Sequence, residues 1–508
     1  MPTIETHKLN SRSGLEAQRQ IYNGLDCCLT VEVLEELQNL PRHESQTYDF
    51  SRALQAPILD MMLRGIRIDE YERRKGIELL TQRIDRLEFM LMKLAVSMWG
   101  KPLNPRSPQQ LKDFFYDAMK IPEQHIREKG KKKVSTNRET LEKLQAYFHV
   151  RPIISVILCL RDYHKQRNVL QTQVDSDQRM RTSYNIGGTE TGRLSSSKSA
   201  TGSGNNMQNL QKDTDEVASG DRVSIRRVFT ADDDWKMCGI DLEQTESHDV
   251  GLIHGLVLGD WTYLDAVESG DIHTRVATMV WPDLGWPGDK RGNREIADRT
   301  FYRNFSYRDM AKRGGHASNY MTTPFTMSRA LKIPIAVAKS FQQRYYTAFP
   351  AFPRWFRWTA QEIQTKQVLT TPFGRTRQFF GRPRDDATLR EAIAFIPQST
   401  SADRMNLGLY RLWSKAGLQD RIRLLAQVHD AVYFLYRPED ENWIISWALK
   451  EIEIVMDYGF RKMIVPGEAK IGWNLGNYDP KGNPDGLKKF SLDKPDTRTR
   501  TDIFNRVF

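Results

Sequence analysis

Nowhere in this chain is there an uninterrupted apolar run of the roughly 18 residues that a membrane-spanning helix needs. Ile153–Leu160, among the longest, is less than half that length. Cysteine is scarce: Cys27, Cys28, Cys159 and Cys238 are the four present. They are too few and too irregular for a disulfide framework, and with no Cys-x-x-Cys pair or histidine array a structural zinc site is excluded. Met1–Asn10 carries Glu5 and no apolar stretch, which predicts no secretory leader. No internal repeat is found. Acid is the scarcer sign, 64 Asp and Glu against 75 Lys and Arg, a net charge of +11. That excess permits a polyanionic partner without requiring one. Together these absences predict a reduced, soluble, cytoplasmic protein with no membrane partner.

Apolar side chains, by contrast, are plentiful. At 39% hydrophobic and 10% aromatic, the composition excludes global disorder. The 508 residues predict about three or four structural units at roughly 100–200 residues each. Residues 22–40 show helical spacing (Leu25, Leu29, Val33, Leu34, Leu37) up to Pro41 and read as a packing helix. Residues 48–64 read as a second helix, Ile66–Asp69 as a short strand and 71–100 as a long helix. Residues 101–138 hold Pro102, Pro105, Pro108 and the run Lys129, Lys131, Lys132, Lys133, a looped basic tip; helix returns over 139–170. The Ser/Gly/Thr/Asn-rich stretch 183–222 suits a linker or a backbone that approaches a ligand closely. Strand, turn, strand and helix follow from Val228, then a Pro/Gly-rich insertion at 281–294. Helical patterns cover about 296–322, 334–348, 352–366 and 387–415, and 422–436 alternates as a hairpin would. From Pro480 the chain is polar, ending in a small apolar patch (Ile503, Phe504, Val507, Phe508).

Three constellations carry chemistry. Asp241 ends an apolar strand and Asp430 sits in another strand or hairpin. Either alone is as readily a strand-end cap or ion-pair member. Brought together, two such carboxylates would repel unless cations lay between them, and hard oxygen donors in an incomplete cage suit Mg²⁺. Arg308, Lys312, His316 and Tyr320 recur every fourth residue, so a helix would set two cations and then two rings along one stripe, suiting a nucleoside triphosphate; a solvated basic face is the bland alternative. Gly314 and Gly315 weaken that helix by roughly 1 kcal/mol each, which predicts that something packs against its backbone. Arg193 in a Thr-Gly-Arg-Leu-Ser-Ser segment, with Asn206, Gln208 and Asn209 beyond it, could reach a nucleic-acid minor groove.

Taken in order, the segments resemble the family A DNA polymerases over about residues 20–478. TGRLSSS and NNMQNL resemble two signatures of that family. IDLEQTESHDVGLIHG is similar to its motif A and DIHT (271–274) to a triphosphate-contacting segment. RDMAKRGGHASNY is similar to motif B, and LLAQVHD to motif C, with FGRTRQF and REAIAFIPQSTSAD between them.

The resemblance implies an α+β, right-hand polymerase fold with an antiparallel-sheet palm and helical thumb and fingers. It implies a DNA-directed DNA polymerase using primer–template DNA, dNTPs and two Mg²⁺ ions, with Mn²⁺ as a substitute. Asp241 and Asp430 would be the catalytic, metal-binding carboxylates, with the Leu242 carbonyl completing a metal site. Glu246 would exclude a ribose 2′-OH. His273, Arg308, Lys312, His316 and Tyr320 would bind the dNTP. Arg193, Asn206, Gln208, Asn209, Arg390, Gln398, Gln427 and His429 would contact DNA, with Lys131, Lys132 and Lys133 on its phosphates.

The implied regions are an exonuclease remnant at 1–40, a segment leading into the palm base at 41–70, a thumb at 71–182 and palm at 183–260 and 386–478. Fingers at 261–385, with the insertion on their outer side, and a tail at 479–508 complete them. Five positions depart from the pattern: Glu243, His316, Met321, Ala394 and Ala431. Tyr22-x3-Asp26 is similar to the last motif of a 3′–5′ exonuclease domain, but the sole Asp-x-Glu, Asp241–Glu243, belongs to motif A. No proofreading is expected from this chain; a separate exonuclease subunit or other replisome protein would supply it, which with the missing leader predicts a phage or viral source. The alternatives are a single-subunit RNA polymerase, against which Glu246 argues, and a non-catalytic DNA-binding replication protein.

Overall fold

Val432, Phe434, Tyr436, Cys238 and Ile240 are too apolar to face water on either side of a two-layer sheet, and the chain covers both faces of the strands that hold them. In the computed structural model, which describes residues 15–39, 46–128, 131–199, 202–210, 213, 223–303, 305–382, 384–415 and 421–491, Lys236–Leu242 (β1), Ile422–Val428 (β2), Ala431–Tyr436 (β3), Gly467–Gly472 (β4) and Lys488–Lys489 (β5) form one antiparallel sheet. Its order is β2–β3–β1–β4–β5. One face packs Cys238, Ile240, Val432 and Phe434 against the helices Gln46–Arg64, Asp386–Ser414 and Glu441–Ile452 through Ile58, Met405, Leu409 and Ile444. The other packs Met237, Tyr433 and Leu435 with Phe229, Trp235 and Met207. The hairpin expected over 422–436 is therefore present, but it does not alternate between core and solvent: every residue of β3 is buried.

Two further cores flank the sheet. Glu70–Trp99, capped by Asp69 and closed by left-handed Gly100, runs against Arg151–Leu170, burying Ile84, Leu91 and Ala95 with Ile153, Ile157 and Leu160. The second core spans residues 250–396, dense in Tyr263, Phe341, Tyr345, Phe352 and Trp355. No described helix is long and apolar enough to cross a membrane.

Several sequence expectations need correction. The basic tip is not a loop: His125–Glu128 and Lys131–Val134 pair as a hairpin, with Lys132 and Lys133 exposed. The single helix read over 296–322 is a helix (Lys290–Ala297), a hairpin (Thr300–Tyr302 with Phe305–Ser306) and a second helix (Tyr307–Asn319). The break is a capping box at Ser306 and Asp309, in which Asp takes the place where Glu or Gln is usually sought. Gly314 and Gly315 do leave room for close packing, but for the protein's own core. A Cβ on Gly314 would lie 2.6 Å from Phe341 and one on Gly315 3.3 Å from Tyr345. Within the insertion Trp281 is buried against Phe301, Tyr307 and Phe341, while 287–290 are exposed. Leu15–Gln38 is helical, yet its side chains from 20 onward are exposed except for half-buried Leu25, so it does not pack as expected. Periodicity specifies a helix and says nothing of what covers its stripe. Lys129 and the apolar patch 503–508 lie outside the described residues.

Two core histidines give the fold an acid limit. His254 is fully buried among Tyr263, Phe352 and Trp355, with no hydrogen-bond partner for either ring nitrogen among the described residues. Burial pushes its imidazole down to about 3. Burial also takes His248 down to about 4, against the Gln244 carbonyl that favours its charged form. Both are neutral in the folded chain, whereas the unfolded chain protonates them below about pH 6.5. Their contribution is intact above pH 6.5 and is lost as pH falls towards 4, about 3 kcal/mol for each group by linkage. Urea midpoints should fall steeply between pH 6.5 and 4, and His254→Phe should flatten that slope; an unchanged slope in the variant would contradict the assignment.

Candidate active site

Asp241 is the last outward-facing residue of β1, and it is exposed where its neighbours are buried. Asp430 follows His429 in the tight turn between β2 and β3, which His429 closes with a left-handed backbone (φ 56°). The Leu242 N–H donates to the Asp430 carbonyl at 3.2 Å and Ala431 stands directly opposite Asp241. Adjacent strands thus bring the two carboxylates to one end of the sheet. The Leu242 carbonyl accepts the Thr245 hydroxyl at 3.2 Å, which uses one of its two lone pairs. Among the described residues no cluster of three or more His, Cys, Asp or Glu stands ready to hold a metal. Two carboxylates and one carbonyl form the sparse, hard donor set that suits Mg²⁺ when substrate phosphates and water supply the remaining ligands.

Glu246 opens the helix Thr245–Leu258 and joins three segments. Its Oε1 accepts from Arg193 Nη2, and its Oε2 accepts the Tyr320 hydroxyl at 2.6 Å. Tyr320 lies just past the helix Tyr307–Asn319 as its cap, with φ −108° and ψ 28°, so the expected stripe ends one residue before its last member. Burial and the Glu246 carboxylate push the Tyr320 phenol well up. Further along the stripe Lys312 and His316 are exposed, and His316 meets the Tyr320 ring edge-on at 5.3 Å. Arg308 is half-buried and ion-paired with Asp271 at 3.1 Å, a pair that Arg294 shares. Burial raises the Asp271 carboxyl, but hydrogen bonds from Arg308 and Thr274 outweigh it and hold the group well below the usual range. Burial, then Arg308 and Lys312, bring His273 down to about 4.

Within the described part of the Ser/Gly/Asn-rich stretch, residues 183–199 and 202–210 make hydrogen bonds to one another rather than forming a plain linker. Ser183–Asn185 pairs with Ser195–Ser197. The Ser196 hydroxyl lies against Asn206 and at 2.8 Å from Gln208, and Gln208 donates to the Leu194 carbonyl at 3.0 Å. Gln427 is buried, donating to the His429 carbonyl at 2.7 Å, while the Tyr184 hydroxyl bridges its backbone. Arg390 and Gln398, two turns apart on Asp386–Ser414, share a partly exposed stripe with Ala394. Asn209 lines a groove of about 620 Å³ with Arg106, Arg161, Lys165 and Lys198. Lys132 and Lys133 are exposed on their hairpin.

Asp271 opens the DIHT segment as an acid beside the cationic stripe, and Tyr184 sets its hydroxyl on the Gln427 backbone. Arg375, in the FGRTRQF segment, is a further residue that composition and spacing do not mark. It pairs with Asp403 at 2.7 Å, and any Cβ on Gly192 would collide with its guanidinium, which is why glycine precedes Arg193.

A sequence profile of DNA polymerase family A matches residues 74–476. The thermostable DNA polymerase I of Thermus aquaticus is 30% identical over 440 residues, 84% of this chain and 47% of that protein. DNA polymerase I of Chloroflexus aurantiacus is 29% identical over 484 residues, 90% of this chain and 46% of that protein. The chain spans about half the length of the curated relatives it matches. Among solved structures, the POL domain of Pol1 from M. smegmatis, in complex with DNA primer-template and dNTP, has a similar fold. Its TM-score is 0.66 over 87% of this chain and 71% of that one, at 20% identity.

Proposed function

The chain belongs to DNA polymerase family A, and from that premise we propose that it is a DNA-directed DNA polymerase that adds dNTPs to a primer 3′-OH. The observation that carries the reading is the pairing of Asp241 and Asp430 at one end of the sheet. Asp241, Asp430 and the Leu242 carbonyl would hold two Mg²⁺ ions, for which Mn²⁺ would substitute. When bound, these ions neutralise charge on the attacking and leaving oxygens.

The chain's own residues would do the positioning. Arg308, Lys312 and His273 would receive the triphosphate, with Arg308 exchanging Asp271 for phosphate. His316 and Tyr320 would cover the sugar and base. Arg193, Asn206, Gln208, Asn209, Arg390, Gln398, Gln427 and His429 would border the primer–template, and Lys131, Lys132 and Lys133 would meet its phosphates. The core at 84–160 suits a thumb, the sheet a palm and the core at 250–396 fingers. A cytoplasmic location and a separate exonuclease are part of the same reading.

A single-subunit RNA polymerase is the second reading, and Glu246 separates the two. Its carboxylate is fixed by Tyr320 and Arg193, and would occupy the space a 2′-OH needs. Primer extension with Mg²⁺ and either dNTPs or rNTPs is the test. The parent should use dNTPs. Glu246→Ala should raise ribonucleotide use relative to deoxyribonucleotide use by about 10²-fold, the scale on which a site distinguishes one hydroxyl. Unchanged discrimination would assign the gate to another residue, extension with rNTPs alone would favour the RNA polymerase, and failure to extend with either would leave a non-catalytic DNA-binding protein.

A further inference from the structure

Asp241 has a neighbour on each side across the sheet. On β3 that neighbour is Ala431, and on β4 it is Glu468. Directly opposed residues of an antiparallel pair carry their Cβ atoms about 4.5–5.5 Å apart on the same face. Glu468 therefore shares the exposed face of Asp241. On the other side, where Ala431 stands, the face offers only a methyl group. Glu468 is the acidic residue of β4 that register sets opposite Asp241, and two lysines hold its carboxylate. Lys489 of β5 pairs with its Oε1 at 2.8 Å, and Lys470 lies 3.5 Å from its Oε2. Lys489 also lies in the field of Glu243. At 24% exposure Glu468 is the sheltered member of the pair and Lys489, at 70%, the loose one.

We propose that Glu468 is a positioning residue of the metal centre: a third carboxylate, supplied from β4 in place of the side chain missing at Ala431, which acts on the cations through Asp241 and their water shell. The inference rests on the reading of Asp241 and Asp430 as metal carboxylates. Physically, an anion one strand away strengthens cation binding at Asp241 whether or not it touches the ion. Lys489 opposes this, because its ammonium neutralises the same carboxylate. The two partners of one ion pair should then have opposite effects on metal affinity, which a merely structural pair would not.

Mn²⁺ titration of the full chain, followed by electron paramagnetic resonance of the free ion, reads this directly and needs no turnover. Asp241→Asn should weaken Mn²⁺ binding at least tenfold, Glu468→Gln should weaken it about fivefold, and Lys489→Met should tighten it about twofold or more. Thermal melting of each variant checks that the sheet edge has formed. If Asp241→Asn weakens binding while Glu468→Gln leaves it within twofold, or if Lys489→Met weakens it as Glu468→Gln does, the proposal is overturned and the two-carboxylate reading stands. If Asp241→Asn itself leaves Mn²⁺ binding unchanged, the metal reading fails and the proposal falls with it.

Discussion

Asp430→Ala should abolish Mg²⁺-dependent primer extension, lowering its rate by about 10³-fold or more, because on the proposed reading it removes one of two metal carboxylates and with it several kcal/mol of transition-state stabilisation. Asp430→Asn should do nearly the same. The amide keeps the size and much of the hydrogen-bonding reach of the side chain, and the left-handed backbone of the turn is at His429. What it lacks is charge. The structure also predicts the effect on stability. On the proposed reading the two carboxylates share one cation site, so neutralising one should leave the melting temperature equal or higher without Mg²⁺. Added Mg²⁺ should raise the melting temperature of the parent by linkage and do little for the variant. Primer–template affinity should change by no more than a few fold. A variant that extends primers at near-parent rate, or that loses DNA binding in parallel with activity, would remove Asp430 from the metal centre.

What could be read in the sequence tracks how local each determinant is. The strand ending at Asp241 and the hairpin around Asp430 are specified by short apolar runs with a polar break, and both formed where expected. The stripe from Arg308 to His316 is a helical repeat, equally local. Features that depend on a distant segment were not legible. That Gly314 and Gly315 admit Phe341 and Tyr345, rather than a ligand, depends on the helix Ile335–Ala348 lying behind them. That Arg308 already has Asp271 as a partner depends on a contact across 37 residues. That Glu468 stands beside Asp241 depends on strand register, which no composition or spacing encodes. The helix Leu15–Gln38 shows the converse, being plain in the sequence yet silent about what it packs on.

The Asp271–Arg308 pair has a consequence for nucleotide binding. Arg308 is preorganised by Asp271 and by the capping box that starts its helix. A polyanion must therefore displace or share a carboxylate to engage it. Lys312, one turn on and exposed, offers charge to an arriving phosphate without that exchange. On the proposed reading, Lys312 would capture the triphosphate early and Arg308 would engage it later, once Asp271 is displaced or shared.

Arg404→Met should be the most destabilising single change in the sheet's support, costing about 3–5 kcal/mol, because it leaves a buried carboxylate without its cation. Arg404 and Asp249 are both fully buried and ion-paired. Asp249 Oδ2 also accepts the Ser401 hydroxyl at 2.7 Å. Burial nevertheless holds the Asp249 carboxyl above its ordinary range, against the pull of Arg404. Arg404 Nε and Nη1 find no hydrogen-bond acceptor among the described residues, so the guanidinium is incompletely satisfied. Coulomb attraction thus offsets desolvation only in part. The double variant Asp249→Leu/Arg404→Met should accordingly recover most of the loss and equal or exceed the parent in stability, since apolar replacement of a buried pair is often neutral or favourable by about 1–4 kcal/mol. Urea unfolding of the parent, both single variants and the double variant gives the coupling energy directly. The pair joins the helix that begins with Glu246 to the helix that carries Arg390 and Gln398. If orientation rather than stability is what it supplies, the double variant should be stable yet discriminate less well between dNTP and rNTP, because Glu246 would no longer be fixed in rotation about its helix. An Arg404→Met protein within about 1 kcal/mol of the parent would overturn the view that removing Arg404 strands a buried charge.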